Sequence, residues 1–171
     1  MGEPHRVFQA YREETMKRIN WMRVLIGGIV AGLIIDVAQW VLDGVFLGPD
    51  WREAMQGLGR PIHESAGSII FYILLGFGYG IMATWMYAAI RPRFGAGATT
   101  ALYAGLGVWS LGYFLPLTMW MPMGLFPAYL MATVMVIGLL EILIATEAGA
   151  WLYREEDPLI GTAAQAFKRA A

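Results

Sequence analysis

The sequence predicts an all-α protein, an integral membrane bundle of four transmembrane helices with both termini in the cytoplasm. Three observations carry that prediction. Of 171 residues, 58% are apolar and only 15% charged, against about 45–50% and about 25% in a soluble domain. Four apolar runs reach the ~20 residues that a helix needs to cross a bilayer core of about 30 Å. The basic residues are sorted to one side of those runs.

The runs cover residues 24–46, 66–90, 98–120 and 126–150. They divide the chain into a cytoplasmic or interfacial segment (1–22), a transmembrane domain (23–153) and a cytoplasmic tail (154–171). Apolar residues run on without alternation, which favours helices over barrel strands. The first run follows a polar stretch, is too long for a signal-peptide core and contains Asp36, so it reads as a true span. Ten of the twelve basic residues fall on the side of the termini: Arg6, Arg12, Lys17, Arg18, Arg23, Arg91, Arg93, Arg154, Lys168 and Arg169. Arg52 and Arg60 fall on the other. That bias gives N-in and C-in topology, as in a bacterial inner membrane.

Two connections are tight turns, Arg91–Gly95 inside and Met121–Leu125 outside. Pro92 biases Arg91 away from helix. The longer outer link has Asp50 and Glu53 at capping-box spacing, which predicts a short helix from Asp50 through Gln56, ended by Gly57 and Gly59. Its Trp51, Met55 and Leu58 are expected on the membrane surface. The stretch from Val7 to Arg18 mixes apolar and charged residues at helical spacing and suggests an interfacial helix.

Lipid supplies no hydrophobic drive for helices to associate, so small residues at contacts let backbones approach. Gly28 and Gly32 form G-x-x-x-G in the first span, Gly76 and Gly80 form another in the second, and Gly138 marks the fourth. These are helix-packing candidates, for contacts within the chain or between copies.

Charges inside spans are the best functional clue, since each costs ~2.5–3.5 kcal/mol at a helix centre. Gly28, Gly32, Asp36, Gln39 and Asp43 step by three or four residues and so draw one stripe on one helix face. Glu141 lies near the middle of the fourth span. Asp36 and Glu141 fall at similar depth, and no Lys, Arg or His lies in any span to neutralise them. Asp36, Gln39, Asp43 and Glu141 are therefore candidates for a proton relay or cation site. The alternative is structural: a carboxyl group hydrogen-bonded to a facing Gln39, Thr84, Ser110 or carbonyl.

Met119, Met121 and Met123 form M-x-M-x-M, a soft-ligand pattern that His63 on the same outer side would extend toward copper. Against it, Met is also a flexible apolar filler. With no cysteine in the chain, disulfides, iron–sulfur clusters and thiol catalysis are excluded. H-E-x-x-H, G-x-S-x-G and P-loop motifs are absent, and no catalytic constellation emerges. A net charge of −1 gives no indication of nucleic-acid binding.

The layout resembles that of a family of small four-span bacterial inner-membrane proteins. The resemblance rests on the Gly-rich first span followed by the loop Phe46-Leu47-Gly48-Pro49-Asp50-Trp51 and Arg52–Gly59, then a Gly-rich second, an aromatic-rich third and a Trp-ended fourth span. It implies the fold and carries no agreed activity. The N-terminal extension, Asp36 and Glu141 depart from it. Function then reads as an accessory or structural subunit, with no cofactor predicted, in a homo-oligomer or with partner membrane proteins. The alternatives are a proton- or cation-linked small transporter or channel, and a protein binding membrane lipid, quinone or pigment beside the aromatic third span.

Overall fold

The computed structural model describes residues 19–63 and 65–153. The expected N-terminal interfacial helix and the cytoplasmic tail lie outside the described residues. Within them the chain is helical, without strands. Four helical segments are long and apolar enough to cross a membrane: Trp21–Phe46, Ala66–Phe94, Ala98–Met123 and Ala128–Leu152.

Helix α1 (Trp21–Gln39) starts on Asn20, whose side chain accepts from the Arg23 amide at 3.2 Å. That bond satisfies one of the N–H groups a helix start leaves open. A π-helical turn, Trp40–Phe46, continues it. Helix α2 (Gly48–Gly57) is the short helix of the long link. It begins two residues earlier than its sequence suggests, because Pro49 occupies the first turn, where a missing N–H is harmless, and Asp50 makes no capping bond.

Helix α3 (Ala66–Phe94) opens with a reciprocal Ser65–Ser68 capping box. It corrects the expected Arg91–Gly95 turn: the helix runs through Pro92 to Phe94. In the last turn a proline removes only one internal bond, and the Gly95 amide closes the turn on the Arg91 carbonyl at 2.8 Å. The reversal falls instead on Gly95 and Gly97, at φ of 85° and 137°, values open to glycine but strained for other residues. Thr100 Oγ1 donates to the Gly95 carbonyl at 2.8 Å and fixes it.

The third span is built from α4 (Ala98–Trp109), a π-helical turn (Ser110–Phe114) and α5 (Leu115–Trp120). A 3-10 turn, Met121–Met123, and left-handed Gly124 make the expected reversal there. Helix α6 (Ala128–Leu152) completes the bundle. One end, termed terminal, is where α1 begins and α6 finishes; the opposite end carries α2.

Helices α1 and α3 make the closest pair. A Cβ on Gly80 would overlap the Gly28 carbonyl oxygen and the Gly32 amide nitrogen. One on Gly28 would stand 2.7 Å from Ile81 Cα, and one on Gly32 2.7 Å from Phe77 Cα. The two G-x-x-x-G motifs thus face each other inside one chain. Helix α6 joins through Gly149, where a Cβ would run into Thr84 Oγ1 of α3, and a Cβ on Gly27 would stand 2.6 Å from the Gly149 carbonyl oxygen. The terminal end is clamped by Tyr153. Its hydroxyl accepts from the Asn20 amide at 3.2 Å, its ring meets Tyr87 edge-on at 6.1 Å, and Arg91 lies over it at 5.9 Å.

Candidate functional site

Asp36, Gln39, Asp43 and Glu141 lie in the half of the bundle nearer α2. Glu141, only 4% exposed, sits mid-way along α6. Gln39 at the end of α1 donates to both its oxygens at 3.3 Å and to Tyr113 Oη at 2.7 Å. The Tyr113 hydroxyl in turn lies 3.5 Å from Glu141 Oε1 as donor. The result is a closed triangle across three spans. It uses the amide and the phenol as donors and Glu141 as the acceptor. Among the described residues no cation hydrogen-bonds to it.

Two glycines make the room. A Cβ on Gly138 would stand 2.5 Å from Tyr113 Cε1, and one on Gly112 would stand 2.6 Å from Tyr79 Cε1. Tyr79 and Tyr113 face each other at 6.1 Å. Gly138 therefore serves less as a backbone contact than as the slot for one ring.

Asp43 is a second node. Trp51 Nε1 donates to its Oδ1 at 2.9 Å, and the Trp51 ring meets Phe126 edge-on at 5.4 Å. Trp51, expected on the membrane surface, is half-buried with its indole on Asp43. Its indole turns back into the bundle, where half-buried Asp43 offers an acceptor. Helix α2 is further tied to α6 by Tyr129, whose hydroxyl donates to Asp50 Oδ1 at 2.6 Å.

Asp36 stands apart. It does not hydrogen-bond Glu141, although both belong to the same half. Its carboxylate lies against Gly76 of α3, where any Cβ would overlap Oδ1, and its Oδ2 is buried without a hydrogen-bond partner. The five-residue stripe on α1 thus meets different neighbours along its length: α3 backbone at Gly28, Gly32 and Asp36, the Glu141 triangle at Gln39, and α2 at Asp43.

Two features of this half were not read from the sequence. One is Tyr113, which in an apolar run looks like another aromatic. The other is the pair of π turns that flank the triangle. In each, an amide bonds five residues back: Leu47 to the Leu42 carbonyl, and Leu115 to the Ser110 carbonyl. Single π turns recur at functional sites. Their cause here is legible. Pro49 and Pro116 lack the N–H that would have served the carbonyls of Val45 and Gly112 four residues earlier, so the helix widens just upstream.

The three methionines of the soft-ligand pattern lie at the end of the third long helical segment. Met119, Met121 and Met123 are all exposed and helical. His63 is exposed in the link before α3. Among the described residues no three His, Cys, Asp or Glu side chains are arranged to hold a metal ion.

No protein-family model, curated protein or solved structure matches the chain. The resemblance noted above therefore rests on span layout and the Phe46–Gly59 loop.

Proposed function

We propose that the chain is an integral membrane protein of a bacterial inner membrane, N-in and C-in, that works as an accessory or structural subunit within an oligomer or larger membrane assembly. One observation carries this reading. Seven consecutive residues of α3, Ile69–Leu75, are exposed all round, with Phe71 at 62% and Tyr72 at 67%. This half of α3 leaves the bundle beyond Gly76 and stands beside it as an apolar arm. A helix apolar on every face is one surrounded by lipid or by other helices.

The chain lacks cysteine, so a single cysteine at Phe71 reports its own neighbours. In native membranes it is expected to cross-link into one defined species, a second copy or a partner. A chain that stays monomeric across concentrations, with no cross-linked product, would sink the reading. Topology is tested separately: a cysteine at Gln56 is expected to label from outside and one at Gln165 not to.

A second reading, proton- or cation-linked transport, is favoured by Asp36, whose buried Oδ2 has no protein partner. It requires that reconstituted vesicles show a flux that Asp36→Asn and Glu141→Gln abolish. Vesicles without flux remove it.

A further inference from the structure

The polar side chains along α1 form a ladder that enters the bundle from one end. Asp43, half-buried, stands in the π turn at the α2 end. Gln39 lies one helical turn further in, and its amide reaches Glu141 and Tyr113. There the ladder stops. The buried hydroxyls met next toward the terminal end are those of Thr146 and Thr84. Each donates to a carbonyl of its own helix, Ile142 at 2.6 Å and Gly80 at 3.1 Å. Beside them Gly27 and Gly149 are packed too closely to carry a Cβ. A water molecule needs room as well as polar partners, and the glycine seam gives it no room.

At its outer end the ladder is covered by α2. The Trp51 indole donates to Asp43 at 2.9 Å and packs on the same core as Tyr113 and Val134. Helix α2 is attached so that it can lift. At its start Leu47 leaves helical geometry, with φ −94° and ψ 0°, in the sparsely populated bridge region. At its far end every residue from Gln56 to His63 is exposed, and Gly59 turns the chain at φ 69°. Between these ends its side chains are tied to the bundle by the Trp51–Asp43 bond, the edge of Trp51 on Phe126 and the exposed Asp50–Tyr129 bond. Segments held by few buried contacts open at a small fraction of the global unfolding cost. We propose that α2 is a lid on a one-sided water path. When it lifts and takes the Trp51 indole with it, water reaches Asp43, then Gln39 and Glu141, from the α2 side, while the glycine seam keeps the terminal side shut. The lid deepens the transport reading above by giving it a direction: a proton or small cation meets Glu141 from the α2 side alone.

Single cysteines report access one position at a time, because the chain has none of its own. The full chain is reconstituted in vesicles, and a cationic, membrane-impermeant methanethiosulfonate is added on one side or the other. Labelling of Gln56→Cys marks the α2 side. Gln39→Cys and the conservative Val134→Cys probe the path, and Thr84→Cys and Thr146→Cys probe the seam. Both path cysteines are expected to react from the α2 side only. Adding Trp51→Ala should speed that reaction about fivefold, the factor that one lost hydrogen bond gives to an opening equilibrium, and leave the seam cysteines unreactive from either side. Four results overturn the proposal: a path cysteine that reacts from the terminal side, path cysteines inert even with Trp51→Ala, a rate that Trp51→Ala leaves unchanged, or seam cysteines that speed up alike. If Gln39→Cys fails to fold, Val134→Cys decides alone. The readout needs no flux, so vesicles without flux remove transport and leave the lid standing, whereas reaction from the terminal side removes the lid and leaves transport to the flux measurement.

Discussion

The terminal half of the bundle and the half nearer α2 are built by opposite means. In the first, Gly27, Gly28, Gly32, Gly80 and Gly149 bring three helices to backbone contact, with Thr84 bonded to its own Gly80 carbonyl at 3.1 Å. Dispersion between close-fitting surfaces holds it, and none of these five glycines can carry a side chain without displacing a facing helix. In the second, the helices stand far enough apart to admit Tyr79, Tyr113, Gln39 and Glu141, and hydrogen bonds replace close contact. Both π turns and the detached arm of α3 lie in this half. Close packing fixes one geometry, while a hydrogen-bonded cluster between widened turns has more than one way to be satisfied. Any motion the molecule uses is therefore expected in the half nearer α2, hinged on the glycine seam.

The sharpest way to break this comparison is Gly80→Leu. The side chain would have to enter the α1 backbone, so the helix pair should separate. We expect a loss beyond the ~1–3 kcal/mol usual for overpacking, seen as loss of a monodisperse peak and of cooperative melting. Next is Glu141→Ala, which leaves the Tyr113 O–H and one Gln39 N–H without their acceptor while the Gln39–Tyr113 bond stays. A cost of about 1–3 kcal/mol is expected, with Glu141→Gln costing less; equal melting of all three proteins would mean that the triangle contributes nothing. Trp51→Phe removes the donor to Asp43 but keeps the ring on Phe126. It should cost about 0.5–1.5 kcal/mol and raise hydrogen exchange in α2 without changing exchange at the terminal end. The smallest effect is expected at Gly78, two residues from Gly80, where an added Cβ meets nothing within 4 Å. There Gly78→Ala should be neutral or stabilise by up to about 1 kcal/mol through helix propensity. If Gly78→Ala and Gly80→Leu lower the melting temperature alike, the contrast between seam and open face is wrong.

Much of the frame was legible because its signals are local. Apolar runs located the four long helical segments, and Gly57 and Gly59 located the end of α2. Pro92 misled because a proline's effect depends on how much helix follows it, and only two further residues do. Beyond the prolines the difficulty was phase. Helical periodicity places Gln39 and Asp43 on one face, but a widened turn between or after such residues rotates everything downstream, so facing partners cannot be read by counting. Gln39 was foreseen as a partner for a buried carboxylate, whereas Tyr113 was hidden by a π turn and by an aromatic run. The clue that was available is a proline four residues after the widened turn's carbonyl, as with Pro116 and Gly112. Asp36 and Glu141 were both singled out by their charge, yet depth along two helices does not fix the angle at which their side chains leave, and each found a different neighbour.

The glycine seam also bears on the order of assembly. Its two halves belong to the first and second long helices in the chain, and α3 ends at Phe94. Because a chain is made from its N-terminus, this joint is available before the residues that follow Phe94 exist. The later helices then add to a paired template, and Thr84 and Gly27, already side by side, form the seat into which Gly149 arrives last.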